Sequence, residues 1–181
     1  MSTTLQHSQS GERLTFIQLF DEKNYHIQIP IIQRDYAQGR PSTLEVRSMF
    51  LDAIKTYLDE NTKNRDLDFV YGSLLDENGT NATKFIPLDG QQRLTTLFLL
   101  HWYLATKDNK IDDFNAKLLA KSKSKFTYET RTSSSEFCDA LLNNTINLSS
   151  LLPADNGQEN ELSKTIKDCI GIFYPGKMIL L

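Results

Sequence analysis

Asp89-Gly90-Gln91-Gln92-Arg93, continued by Leu94-Thr95-Thr96, gathers a carboxylate, a glycine, two amides, a guanidinium and two hydroxyls in eight residues. Phe85-Ile86-Pro87-Leu88 before it is β-prone, and the residues after it are apolar at helical spacing. A strand is therefore expected to run through the glycine directly into a helix. The first turn of a helix leaves backbone N–H groups without intrahelical partners, and the macrodipole makes that end partly positive. Phosphate binds there readily. Gly90 would let the backbone approach a ligand with no Cβ in the way. Arg93 would grip phosphate oxygens with two parallel hydrogen bonds. Gln91 and Gln92 add neutral donors and acceptors, and Thr95 and Thr96 add hydroxyls near a phosphate or a hydrated metal ion. The same residues also suit a plain junction, with Asp89 as a helix cap and Arg93 as a surface residue.

A second segment, Ile29-Pro30-Ile31-Ile32-Gln33-Arg34-Asp35-Tyr36-Ala37-Gln38-Gly39-Arg40, places two arginines, two glutamines and a tyrosine in its last eight residues. Arg34 would meet phosphate, and Tyr36 would stack on a base or close a lid. Equally, Arg34 would pair with an acid and Tyr36 would cover the core.

The elements that must position these groups are legible in outline. Leu14, Ile17 and Phe20 suit one short amphipathic helix, and Tyr25 to Ile29 a strand ending at Pro30. Residues 31–41 read as an ordered loop. Ser42 and Glu45 have capping-box spacing. Val46, Phe50, Ala53, Ile54, Tyr57 and Leu58 then form one apolar stripe. Asp68 to Leu75, containing Gly72, and Lys84 to Leu88 read as a hairpin around Asp76-Glu77-Asn78-Gly79. The helix from Gln91 to Thr106 is expected to turn Leu94, Leu97, Phe98, His101, Leu104 and Ala105 inward. Ile111, Phe114, Leu118 and Leu119 suit another helix, Phe126 to Tyr128 a short strand. Ser133 and Glu136 form a second capping box before Phe137, Leu141 and Leu142, and Glu161 to Ile172 suits a last helix. Strands early and helices late indicate an α+β fold.

Composition narrows the function classes. The chain has 181 residues, 39% hydrophobic and 24% charged, enough to bury a real core. Its net charge of −3 lacks the basic surplus of an autonomous nucleic-acid binder, so contact with DNA is expected to be local or made by another part of a larger protein. Cys138 and Cys169 have no CxxC spacing and read as reduced thiols of an intracellular protein. Met1 to Glu12 is polar and carries no signal peptide, and Leu94 to Leu104 is too short to span a membrane, so a cytoplasmic protein is expected. There is no Walker A sequence, and Gly72-Ser73 lacks the nucleophile-elbow pattern, which excludes a P-loop NTPase and argues against a serine hydrolase. The run Lys117, Lys121, Lys123, Lys125 reads as a solvated helix end rather than a DNA contact. His101 reads as a core histidine and Trp102 as packing.

"IPIIQRDYAQGR", "FVYGSLL" and "PLDGQQRLTTLFLL", in that order and spacing, resemble the N-terminal domain of the GmrSD family of modification-dependent restriction systems. "FTYETRTSSSEFCDALL" resembles the segment that follows in one branch, so the likeness spans residues 14–145. The resemblance implies a small mixed sheet of the ParB and sulfiredoxin superfamily, with flanking helices and a helical C-terminal portion. It implies a flexible tail over residues 1–12, a nucleotide-binding domain over 13–108 and a helical extension over 109–181, whose apolar end, Gly171 to Leu181, reads as truncated. It implies binding and hydrolysis of a nucleoside triphosphate with a divalent metal, magnesium being expected, in a phage-defence sensor. Hydrolysis would gate an HNH-type nuclease, with modified DNA as a further partner.

Carried onto this chain, the nucleotide site comprises Gln33, Arg34 and Tyr36, Gly72, and Asp89, Gly90, Gln91, Gln92 and Arg93. Arg93 would clamp phosphate and Arg34 would offset transition-state charge. Asp89 would cap the helix, hold a metal-bound water or act as base. The chain departs from sulfiredoxins in lacking a cysteine in Gly90-Gln91-Gln92-Arg93, which removes the nucleophile a reductase needs. Its histidines are His7, His26 and His101, with no His-Asn-His constellation, so the nuclease is expected on another domain or chain. Two alternatives stand beside this reading: a non-catalytic nucleotide switch or DNA-interaction module, and an inactive remnant.

Overall fold

A computed structural model describes residues 11–30, 44–60, 65–76, 83–129 and 132–143. The chain turns first through Gln18–Asp21 (α1), then His26–Ile29 (β1), Leu44–Asp59 (α2), Gly72–Leu75 (β2) and Lys84–Pro87 (β3). Gln91–Lys107 (α3) and Ile111–Leu118 (α4) follow, then Leu119–Ala120 (β4), Lys123–Ser124 (β5), Phe126–Tyr128 (β6) and Thr132–Asn143 (α5). The expected mixed sheet with flanking helices is what forms.

Four strands make the main sheet in the order β2-β3-β1-β6. The β2–β3 pair is the expected antiparallel hairpin, with Gly72 opposite Pro87 and Leu75 opposite Lys84. Its turn, Glu77 to Gly79, lies outside the described residues. β1 runs parallel to both its neighbours, pairing Ile27 with Phe85 on one side and with Phe126 on the other. A strand flanked by parallel partners is buried on its apolar positions, and Ile27 and Ile29 are fully buried while His26 and Gln28 alternate to the half-exposed side. Residues on both sides of position 108 contribute to this one sheet and to one hydrophobic cluster.

α3 supplies the centre of that cluster. Leu94, Phe98 and Trp102 recur every four residues and are buried. The Phe98 ring stacks on Phe126 of β6, centroids 4.9 Å apart. Trp102 packs, as expected, and its indole N–H donates to the Leu141 carbonyl at 3.0 Å, tying α3 to α5. Of the residues expected inward, Leu94 and Phe98 are buried, Leu97 and Ala105 pack against the core, and His101 is half-buried. Thr95 and Thr96 are buried, whereas Leu104 is exposed. The periodicity finds the stripe, but the buried face is broader than it, taking in Thr95 and Thr96, and it falls short at Leu104. α3 ends in a Schellman turn, with Asn109 at a positive φ of 53° and the Lys110 N–H donating to the Ala105 carbonyl at 2.8 Å.

α2 and the segment after α4 add two findings. The stripe on α2 is present, but α2 puts no residue in the core, and Val46 and Leu58 are exposed. Apolar spacing reports a face; it does not report what covers it. Leu119, expected in a helix, instead begins a two-residue hairpin between β4 and β5. Lys121 and Ser122 both take positive φ there, the turn geometry that matches strand twist. Most of the lysine run is tied down by partners in the fold. Lys117 pairs with Asp21, Lys123 with Asp139 at 2.8 Å, and Lys125 donates to Asn24 Oδ1 at 2.8 Å. No helix among the described residues is long and apolar enough to cross a membrane.

His101 is half-buried, stacked on Phe16 with ring centroids 4.8 Å apart, and its Nδ1 lies 2.7 Å from the Leu97 carbonyl. Burial pushes its pKa below the ordinary 6.5, only partly offset by that carbonyl. The folded state thus binds its proton less readily than the unfolded state. The contribution is complete above the unfolded value of 6.5 and is lost as pH falls from there through the folded-state pKa. His101→Gln is expected to lose less melting temperature than wild type between pH 7.5 and pH 5. Equal losses would mean His101 protonates freely in the folded protein.

Candidate functional site

The strand–glycine–helix junction forms as the residue types dictate. β3 ends at Pro87, and the Leu88 and Asp89 N–H groups both donate to the Tyr71 carbonyl, at 2.8 and 3.2 Å. The chain then turns through Gly90, whose φ of +83° lies in the left-handed region that favours glycine. α3 begins on the next residue, and its first intrahelical bond runs from the Leu94 N–H to the Gly90 carbonyl at 2.9 Å. Gly90 occupies the cap position with no side-chain cap, so Asp89 is not the helix cap.

Glycine is required here for a second reason. A Cβ on Gly90 would lie 2.5 Å from Val70 Cγ2, so the space it leaves is filled by protein. Gly72 is tighter still: a Cβ there would lie 2.2 Å from the Ile86 carbonyl oxygen across the β2–β3 ladder.

Several expected ligand groups are committed to the fold. Gln91 is buried, and its amide donates to the Pro87 carbonyl at 2.9 Å, bracing the turn. The Thr95 hydroxyl donates to the Gln91 carbonyl at 2.9 Å and lies 3.0 Å from the Tyr128 hydroxyl. The Thr96 hydroxyl donates to the Gln92 carbonyl at 2.8 Å. Gln92 is half-buried in the same turn.

Arg93 is the hub. Its Nη1 donates to Asp68 Oδ2 at 2.5 Å, and its Nη2 donates to the Phe69 carbonyl at 2.7 Å and to Asp89 Oδ2 at 3.4 Å. Its side chain is 23% exposed and both carboxylates are 55% exposed, so the cation is sheltered and the anions face water. Nε of Arg93 is buried and has no acceptor among the described residues. Asp68 has a positive φ of 79°, a region that favours glycine and, after it, short polar side chains, and its Oδ1 accepts the Phe69 N–H at 2.9 Å.

The structure therefore brings together Gly72, Asp89, Gly90, Gln91, Gln92 and Arg93 at one end of the sheet. Gln33, Arg34 and Tyr36 lie outside the described residues. Asp68, Phe69 and Val70 are participants that sequence reasoning missed. They sit about two dozen residues from Arg93, and only the closed hairpin joins them. Cys138 is buried, which raises its thiol pKa and leaves it inert, and Cys169 lies outside the described residues. Among the described residues no three metal-ligating side chains are grouped.

The sequence model of the GmrSD restriction endonuclease N-terminal domain matches residues 16–175. The chain belongs to that family. The match takes in β1 through α5 and both candidate motifs of this GmrSD N-terminal domain. Membership connects the chain with a restriction system. No curated protein and no solved structure matches it.

Proposed function

We propose that this GmrSD N-terminal domain binds a nucleoside triphosphate at the start of α3 and hydrolyses it slowly, so that nucleotide state gates an HNH-type nuclease carried by another domain or chain acting on modified DNA. The observation that carries the reading is the incompletely satisfied Arg93. A guanidinium has five N–H donors, and three hydrogen bonds are present here, leaving Nε–H and one on Nη1. A buried donor without an acceptor costs roughly 1–3 kcal/mol. Phosphate oxygens would satisfy it, once the guanidinium turns from Asp68, with the charge-assisted bonds that arginine makes best.

The charge balance says what else is needed. Asp68, Asp89 and Arg93 sum to −1, so a triphosphate requires further positive charge. Arg34 would supply part of it, and a divalent ion the rest. Magnesium keeps most of its waters and uses one or two carboxylates with the substrate's own phosphates, so Asp89 with the phosphates would be enough to hold it. Asp89, exposed and at the mouth of the turn, would hold the ion or orient its water. When bound, the ion would neutralise charge on the phosphates. Gln33, Tyr36, Gln92 and the backbone at Gly90 would position the nucleotide, while Gln91, Thr95 and Thr96 hold the helix that bears Arg93.

One observation also favours a switch without turnover. Arg93 links α3 to residues 68 and 69, so re-pairing it with phosphate would release that segment and report the nucleotide to a partner. Binding without phosphate release would support this version.

The test is a thermal-shift titration with ATP, GTP, CTP and UTP, with and without magnesium. At a hundred times Kd, linkage stabilises by about 2.7 kcal/mol, which is about 5–10 °C for a domain of this size. Phosphate release then separates hydrolysis from switching. No shift with any nucleotide overturns the proposal.

A further inference from the structure

Phe69 and Tyr71 are exposed at 70% and 54%, high for aromatic rings beside a sheltered arginine. Val70, between them, lies against Gly90 and packs on the core, while its two neighbours are exposed. Their ring centroids are 6.3 Å apart with planes tilted by 35°, within the range of rings that touch each other. They are too close to admit a base between them, and their outer faces are open.

Both residues are fixed by their backbones to the proposed phosphate grip. The Phe69 carbonyl accepts from Arg93, and the Tyr71 carbonyl accepts from Leu88 and Asp89. Asp68 holds the Phe69 N–H. The backbones of both residues are thus tied to Arg93 or to the turn that precedes α3, while their rings are exposed and outside the core. From this we infer that Phe69 and Tyr71 form a stacking platform for the nucleobase, with Arg93 holding the phosphates of the same molecule. Every base has a flat π-face, so the platform accepts purines and pyrimidines, and purines more tightly because they stack over a larger area. The inference rests on the nucleotide reading above and adds to it the residues that hold the base.

The ring of Phe69 can be removed without touching what its backbone does. Phe69→Ala keeps the N–H bond to Asp68 and the carbonyl that Arg93 holds. The full chain would be titrated with ATP and with inorganic tripolyphosphate, both with magnesium, in wild type, Phe69→Ala, Tyr71→Ala and Phe69→Trp. Removal of a stacking ring weakens binding roughly five- to 150-fold. That loss is expected for ATP in Phe69→Ala, with tripolyphosphate unchanged. Phe69→Trp should restore ATP binding, and its new exposed indole should be quenched by ATP and not by tripolyphosphate.

Unchanged ATP affinity in both alanine variants would overturn the platform while leaving the phosphate site standing. Parallel losses for ATP and tripolyphosphate would show that the rings only support Arg93, and would also overturn it. Quenching by a short single-stranded oligonucleotide but not by ATP would assign the rings to DNA instead. If wild type binds neither ligand, the nucleotide reading fails and the platform falls with it.

Discussion

Arg93→Ala is expected to bind nucleoside triphosphates at least a hundredfold more weakly than wild type, while melting within a few degrees of it. The first half follows from what the guanidinium contributes. It is the one cation in the first turn of α3, and once it turns from Asp68 its donors would be free for phosphate. Loss of a charge-assisted, two-pronged contact costs on the order of 3 kcal/mol, about a hundredfold. The second half follows from where the carboxylates sit. Asp68 and Asp89 are more than half exposed, so water takes over when Arg93 is gone, and exposed ion pairs are worth only about 0–1 kcal/mol. Leu94, Phe98 and Trp102, which anchor α3, are untouched.

Arg93→Lys refines the test. It keeps the charge and loses the planar fork, so an intermediate loss is expected. Asp68→Asn should act in the opposite direction. Asparagine tolerates the positive φ of 79° and still accepts the Phe69 N–H, but it competes less strongly for Arg93. A severalfold gain in nucleotide affinity would follow. Calorimetric titration of the three variants decides the matter. Full affinity in Arg93→Ala would remove the phosphate grip from α3, and a loss in Asp68→Asn would mean that Asp68 serves the ligand rather than competing with it.

The part of this site that was legible in the sequence is the part made by neighbours in the chain. β-prone residues, a glycine and a helical stripe are local signals, and they produced β3, the Gly90 turn and α3 in that order. The roles of individual side chains were less legible, because each depends on what comes to lie beside it. Thr95 and Thr96 look like free hydroxyls in a motif. On a helix that buries both positions, they fold back on the carbonyls four residues earlier. Asp68 looks like the first residue of a strand. Only after β2 pairs with β3 does it meet an arginine 25 positions away. Gly72 and Gly90 look like backbone clearance for a ligand, yet what a Cβ would strike at each is protein: Ile86 and Val70. The stripe on α2 shows the opposite limit, since the periodicity marks one apolar face and the helix buries none of its residues.

That distinction between the two glycines yields the largest stability effects. Gly72→Ala is expected to cost more than about 3 kcal/mol, and Gly90→Ala about 2–4 kcal/mol. At Gly72 the new methyl would meet backbone: the Ile86 oxygen at 2.2 Å and Pro87 Cα at 2.7 Å. Backbone cannot rotate aside, so β2 must separate from β3, and the ladder that places Asp68 and Tyr71 is lost with it. At Gly90 the cost has two parts. The left-handed φ of 83° penalises any Cβ by roughly 1–2 kcal/mol, and the overlap with Val70 adds the rest. A side chain can be shortened where a backbone cannot. Val70→Ala in the Gly90→Ala background should therefore return the overlap part and leave the conformational part, whereas no truncation should rescue Gly72→Ala. Urea unfolding of the single and double variants gives the coupling directly. Complete rescue at Gly90 would mean that its φ costs nothing, and a neutral Gly72→Ala would mean that β2 and β3 do not approach as closely as the Gly72–Pro87 pairing requires.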